Sequence, residues 1–291
     1  MSSAATMAVE TRRVPLDGIT YQVTLAGDGP PLLLLHGFTG SAATWTPLLG
    51  ALARCCRVIA VDLPGHGGSD APEDIRHYTM ERVVHDLLAL CDALAPAPRE
   101  LRVLGYSMGG RVALRLALAA PWRIAALVLE GASPGIMDPA ERAARVATDR
   151  ALADRIEREG MEAFVQYWQA LPLFASQQRL PAEARVALRA QRLANRPHGL
   201  ANSLRGMGAG MQEPLAERLA ELSMPVLLIA GDLDEKYRAA ATAMAGRIPG
   251  ARAVIVPDAG HTVHLEQPAA FEQAVTELIV ATVVRPSYPC G

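Results

Sequence analysis

Leu101-Arg102-Val103-Leu104-Gly105-Tyr106-Ser107-Met108-Gly109-Gly110-Arg111 is an apolar run that breaks at a glycine, presents one serine and resumes as a helical pattern. Residues 101–105 read as a strand and residues 112–120 as a largely apolar helix. Between them stands G-x-S-x-G, the sharp strand-to-helix turn that lifts a serine hydroxyl above the end of a sheet. Gly105 and Gly109 let strand and helix approach closely. The helix N-terminus that follows favours negative charge beside the serine.

The flanks keep the same rhythm. Residues 12–16 and 21–25 surround the turn residues Asp17-Gly18 and read as a hairpin. Residues 31–35 and 58–61 are unbroken apolar runs, the form of strands buried on both faces of a parallel sheet. Apolar residues at 80, 83, 84, 87, 88, 91 and 94 make one face of a helix, and 124–130 is a further strand. From 133 to about 223 only helical patterning remains. It opens with Asp138-Pro139-Ala140-Glu141, an N-cap with proline in the first turn and a glutamate placed to close a capping box. Strand patterns return at 225–230 and 253–256, and a helix follows over 268–283. This order predicts an α/β fold, a mostly parallel twisted sheet flanked by helices, with a helical cap inserted after the sixth strand. The core is expected at 11–132 and 224–285, the cap at 133–223, and loose tails at 1–10 and 286–291.

Composition removes several classes of function. The chain has 291 residues, 51% hydrophobic and 20% charged, with a net charge of −2. That is too apolar and too weakly charged for a disordered chain, and it lacks the basic footprint of a nucleic-acid binder. No apolar run approaches the roughly 20 residues of a membrane span. The first residues, MSSAATMAVETRR, contain no apolar h-region, so no secretory signal is expected. Cys55, Cys56, Cys91 and Cys290 show no metal-ligand spacing and read as free thiols, three buried and one in the tail. A reducing cytoplasm fits that usage. Basic charge rests almost wholly on arginine: Lys236 is the single lysine among 28 basic residues.

A serine hydroxyl needs a histidine held by a carboxylate before it can act as base or nucleophile. In this strand–turn–helix setting the chain order is serine, acid, histidine, with the acid after a late strand. Ser107, Asp234 in Gly231-Asp232-Leu233-Asp234, and His261 in Asp258-Ala259-Gly260-His261 arrive in that order, each just past a predicted strand. Asp234 is preferred to Asp232 because the acid closes G-x-x-D while Asp232 serves the turn. Two backbone N–H groups should hold a developing oxyanion: Met108, next to the serine, and Phe38 in the loop His36-Gly37-Phe38. His36, His66 and His264 read as supports of their loops. Gly206-Met207-Gly208-Ala209-Gly210 follows no strand and is not a phosphate loop. The mixed charges of 141–162 read as a solvated helix face.

The His36-Gly37-Phe38 loop, Asp62-Leu63-Pro64-Gly65, the serine turn and Ala259-Gly260-His261 together resemble the α/β-hydrolase superfamily. Within it, Arg142-Ala143-Ala144-Arg145, Leu173-Phe174 and Gly199-Leu200-Ala201-Asn202-Ser203-Leu204-Arg205-Gly206-Met207-Gly208 resemble the MenH-type 2-succinyl-6-hydroxy-2,4-cyclohexadiene-1-carboxylate synthases of menaquinone biosynthesis. The likeness runs from about residue 31 to about 275. It implies a lyase that expels pyruvate from a small polycarboxylate, with Ser107 as base, served by His261 and Asp234, and with no metal or cofactor. It also implies a substrate pocket of Tyr106, Arg111, Arg145, Trp168 and Arg189. Several carboxylates leaving water need paired cations, and arginine forks supply them. The alternatives are a serine hydrolase cutting an ester or carbon–carbon bond through an acyl-enzyme, and a binding protein without catalysis. Neither nucleic acid nor membrane is an expected partner, and a monomer or small homo-oligomer is expected.

Overall fold

The computed structural model describes residues 8–95 and 100–283. A hairpin comes first, β1 (Val9–Leu16) and β2 (Ile19–Ala26), then β3 (Pro31–Leu35), α1 (Thr46–Leu52), β4 (Arg57–Val61) and α2 (Met80–Leu94). The serine turn joins β5 (Leu101–Tyr106) to α3 (Met108–Ala119), and β6 (Ile124–Glu130) follows. The inserted helices are α4 (Pro139–Gln169), α5 (Ala182–Leu193) and α6 (Pro197–Met207). The chain closes with β7 (Val226–Gly231), α7 (Glu235–Ala245), β8 (Arg252–Val256), α8 (Val263–Glu266) and α9 (Pro268–Val283).

The eight strands form one sheet in the order β1-β2-β4-β3-β5-β6-β7-β8. β1 pairs antiparallel with β2 and β2 with β4, and every other pairing is parallel. Alternation along β3 explains why its sequence is continuously apolar. Leu33 and Leu35 face a core closed by α2 and α3, while Leu32 and Leu34 face one closed by α1 and α9. A strand covered on both sides has no position left for a polar side chain.

Most elements fall where the hydrophobic pattern predicts. The first strand does not: it starts at Val9 rather than Arg12, because the ladder with β2 continues through Arg12↔Val23, Thr11↔Thr24 and Glu10↔Leu25 to Val9↔Ala26. Val9 and Glu10, expected in a loose tail, are therefore strand residues. The rest of that expected tail, apart from Ala8, and the 286–291 tail with Cys290 lie outside the described residues. At Asp138 the side chain accepts the Glu141 N–H at 2.8 Å, giving one half of the expected box. α4 is interrupted at Gly160 (φ 77°, ψ 177°). The insert has its own small core, Ile156, Phe164 and Val165 of α4 against Leu200, Ala201 and Leu204 of α6, and Phe38 of the main body packs against it.

The helix that carries the serine sits unusually close to the sheet. A Cβ on Gly109 would stand 2.3 Å from the Leu35 carbonyl oxygen, and one on Gly105 would stand 2.3 Å from that of Gly109. Backbone cannot yield as a side chain can. Gly109→Ala is expected to cost about 1–3 kcal/mol, the usual scale of overpacking, and to lower the melting temperature by several degrees. A calorimetric scan that finds it unchanged contradicts this packing.

Candidate active site

Ser107 sits at φ 51°, ψ −108° between β5 and α3. Such a conformation costs a non-glycine residue about 1–3 kcal/mol. Neighbours enforce it: the Ser107 N–H donates to the Glu130 carbonyl at 2.8 Å, and the Ser107 carbonyl accepts the Arg111 N–H at 3.1 Å. His261 Nε2 lies 3.0 Å from Ser107 Oγ, and His261 Nδ1 lies 2.7 Å from Asp234 Oδ2. Asp234 caps α7, its Oδ1 accepting the Tyr237 N–H at 3.3 Å. That leaves the second oxygen for the histidine. A carboxylate at Nδ1 keeps the proton there and turns a bare Nε2 toward the serine. Asp232 stands in the turn, its N–H on the Val256 carbonyl at 3.0 Å.

Two carboxylates that sequence reasoning did not single out hold this arrangement. Glu130 ends β6 fully buried; its carboxylate lies 2.8 Å from His264 Nδ1 and accepts the His264 N–H at 3.0 Å. Glu266 accepts the N–H groups of Gly260 (2.8 Å) and Thr262 (3.2 Å), one on each side of His261. A glutamate closing the otherwise apolar run 124–130 was a readable signal of the first. Nothing in the sequence marks the second.

The loop after β3 borders the serine. A Cβ on Gly37 would stand 3.4 Å from the Ser107 Cβ and 2.5 Å from the Tyr106 ring. The Gly40 N–H closes this turn on the Gly37 carbonyl at 2.9 Å, and the Phe38 N–H has no acceptor among the described residues. Met108 is the first residue of α3, where an amide lacks a partner within its helix. His36 fixes the loop from beneath, its Nε2 accepting the Leu63 N–H at 3.0 Å and its Nδ1 lying 2.8 Å from the Gly37 carbonyl.

The expected pocket residues differ in how each is held. Arg111 is one helical turn past Ser107; its Nη1 donates to the Met207 carbonyl at 3.0 Å, and it has no ion-pair partner among the described residues. Burial pushes this guanidinium down to about 10, with Arg145 adding to the effect. Arg145 is held at Nε by Asp149 Oδ1, 2.8 Å away, and keeps 38% of its side chain exposed. Tyr106 packs its ring against His261 and His264 at 5.4 and 4.8 Å. Burial, followed by the Glu130 charge, raises its pKa well above the ordinary value. Trp168 packs edge-on to Phe38 at 5.3 Å, and its buried indole N–H has no acceptor among the described residues. Arg189 keeps its Nη1 buried without an acceptor among the described residues. It is ion-paired to Glu162 across the inserted helices, and a cavity of about 410 Å³ beside the serine loop is lined instead by Arg192. Ala184, Leu188 and Arg192 share one helix face at four-residue spacing, while Arg189 lies one position off it.

A family model described as the alpha/beta hydrolase fold matches residues 30–268. The chain belongs to the α/β-hydrolase family. This α/β-hydrolase is 45% identical over 269 residues to a Bacillus subtilis (strain 168) protein provisionally named 2-succinyl-6-hydroxy-2,4-cyclohexadiene-1-carboxylate synthase, covering 91% of this chain and 96% of that one. It is 34% identical over 250 residues to the synthase of that name from Salmonella paratyphi C, covering 86% and 94%. The solved structure of MenH from S. aureus superposes with a TM-score of 0.85 at 34% identity, covering 90% of this chain and 98% of that chain.

His36 and His66 give this α/β-hydrolase a definite acid response. Burial lowers both pKa values from the ordinary 6.5. The folded protein keeps them neutral while the unfolded chain takes up protons. Stability present above pH 6.5 is therefore lost as pH falls below it, by at most about 1.4 kcal/mol per pH unit for each histidine. His66→Asn removes one share. Urea unfolding at pH 7 and pH 5 should show a smaller difference for the variant than for the native protein, and an equal difference contradicts the assignment.

Proposed function

We infer that this protein is a carbon–oxygen lyase of menaquinone biosynthesis, converting 2-succinyl-5-enolpyruvyl-6-hydroxy-3-cyclohexene-1-carboxylate to 2-succinyl-6-hydroxy-2,4-cyclohexadiene-1-carboxylate and pyruvate. The observation that carries this reading is Arg111, a half-buried, desolvated cation with no carboxylate of its own among the described residues, one turn from Ser107. Leaving a desolvated charge unpaired is costly unless a ligand pairs with it. A neutral ester offers it nothing; a polycarboxylate does. Names carried by the Bacillus and Salmonella relatives favour the same substrate. In this reading residues 133–223 are a cap over the site, and 11–132 with 224–285 are the hydrolase core. The protein works in the cytoplasm.

The bond changes set the roles. The substrate has its ring double bond at position 3 and its ether at position 5, and the product has double bonds at 2 and 4. The proton therefore leaves C2, which is next to the succinyl ketone and made acidic by it. Ser107 Oγ takes that proton as His261 Nε2 takes the serine's own. Asp234 stabilises the imidazolium through Nδ1–H. Charge moves from C2 onto the ketone oxygen, where the N–H groups of Phe38 and Met108 receive it. The electron pair then returns through the ring, the C5–O bond breaks, and the departing enolate of pyruvate is protonated on carbon. Arg111, Arg145 and the indole N–H of Trp168 bind the polar arms, and Tyr106 lines the pocket. In this reading Arg189 sits behind its pair with Glu162 and contributes less.

A coupled assay tests the reading. The enolpyruvyl substrate is generated in situ from isochorismate and 2-oxoglutarate, and pyruvate release is followed with diene absorbance. Equal amounts of both products are expected, formed faster than the substrate decays alone. Ser107→Ala and Asp234→Asn should each remove most of that rate without lowering the melting temperature. Arg111→Gln should lower kcat/KM by roughly 30- to 160-fold, the equivalent of about 2–3 kcal/mol for a charged hydrogen bond. No acceleration by the native protein overturns the lyase and leaves the acyl-enzyme hydrolase, to be sought with activated esters and diketones.

A further inference from the structure

Thr39 is the strained residue of the loop that carries Phe38. Its φ is 70°, where a β-branched residue is rarely found. The Gly40 N–H donates to the Gly37 carbonyl at 2.9 Å, so Thr39 is the third residue of a tight turn, the place where glycine normally supplies a positive φ. Such a conformation persists only where surrounding contacts enforce it. The sheet enforces that of Ser107. Thr39 is held instead from the inserted segment: it is buried, and its carbonyl accepts from Asn195 Nδ2 at 2.8 Å.

Asn195 lies two residues past α5, only 5% exposed, and uses both ends of its side-chain amide. Nδ2 also reaches the carbonyls of Gln191 and Arg192 at 3.2 Å, closing the end of that helix, and Oδ1 accepts the Gly67 N–H at 3.1 Å. An aspartate would offer the acceptor without the donor. Asn195 therefore ties the loop after β3 to the loop after β4. The chain around it is pressed against the same two loops. Arg196 Nη2 donates to the Ser69 carbonyl, a Cβ on Gly199 would stand 2.4 Å from the Gly65 carbonyl oxygen, and Gln191 Nε2 donates to the hydroxyls of Ser41 and Thr44 at 3.0 Å. The main body holds the Phe38 loop on either side of the turn, through His36 and through the Ala42 N–H on Asp62 Oδ1 at 2.6 Å. Among the described residues only Asn195 holds the Thr39 carbonyl.

We propose that Asn195 is a positioning residue: by holding the Thr39 carbonyl it keeps Thr39 at positive φ and so aims the adjoining Phe38 N–H at the oxyanion that develops over Ser107. That Phe38 receives this charge rests on the function inferred above; the hold on Thr39 does not. Asn195 touches no reacting atom. A group displaced by about 1 Å can cost roughly a hundredfold in rate, so an amide at the foot of the inserted helices governs turnover without binding substrate.

Variants of the full-length protein test this by structure and by turnover. In a crystal structure of Asn195→Ala, Thr39 should have returned to negative φ, and a Thr39 still near 70° overturns the hold. In the coupled assay the same variant should lower kcat about fivefold or more and change KM less than about twofold, because an oxyanion donor acts in the transition state. A smaller loss of kcat, or a loss confined to KM, overturns the positioning role. Asn195→Asp keeps the Gly67 contact and the side-chain size but cannot donate to Thr39. It should lose kcat as the alanine variant does, a native kcat in it counts against the proposal, and both measurements move to it if the alanine variant does not fold. Rescue separates positioning from general support. Glycine takes a positive φ unaided, so adding Thr39→Gly to either Asn195 variant should recover kcat about threefold or more, and no recovery contradicts the route through Thr39. If the native protein releases no pyruvate, the lyase reading falls while the conformation of Thr39 in the Asn195 variants still decides the hold.

Discussion

The backbone of Ser107 is held in a conformation that a serine does not choose, and the hydrogen bond from its N–H to the Glu130 carbonyl is the contact through which the sheet imposes it. The same residue, through its carboxylate, grips His264 three positions beyond His261. One strand end thus sets both the serine and the histidine loop. The third member arrives by a separate route, since Asp234 is fixed as the N-cap of α7. Short parallel strands make this possible, because their carboxyl ends lie side by side and each releases a loop at the same edge of the sheet. Residues 107, 234 and 261 are far apart in the chain, yet they need only small rearrangements to meet.

Charge distinguishes this site from a general serine hydrolase site. Arg111 is half-buried and Arg192 buried, and neither has a carboxylate partner among the described residues. Several other arginines are matched: Arg205 to Asp154 and Glu157, Arg155 to Glu159, Arg115 to Glu81 and Glu213. Arg102 is also buried without a carboxylate among the described residues, but the Thr282 hydroxyl and carbonyl satisfy it at the other end of β5; an unmatched cation one turn from the reactive serine favours an anionic ligand. The pair of Arg145 with Asp149 lies between these cases, an ion pair that still leaves guanidinium nitrogens for a ligand.

How much could be read from the sequence follows from what each feature depends on. β3, α2, β6 and α9 appear at the predicted positions because burial alone sets their pattern. Ser107, Asp234 and His261 were legible because each follows an apolar strand in a recognisable loop. The added turn of β1 was not, since Val9 and Glu10 are exposed and only the ladder to β2 makes them strand. Arg192 and Arg189 differ by three positions on one helix, and which faces the cavity depends on the packing of α5 against the loop after β3. The resemblance favoured Arg189; the geometry brings Arg192 to the cavity wall. Glu266 has meaning only in three dimensions, where it spans His261.

The central claim is that Ser107 acts as a base on C2–H rather than as a nucleophile on a carbonyl. The most direct test is turnover of substrate carrying deuterium at C2, with intact-protein mass spectrometry on the same quenched samples. The account predicts slower pyruvate release from the deuterated substrate, loss of the label to solvent, and no added mass on the protein. A covalent adduct on Ser107, or retention of deuterium in the product, would contradict it.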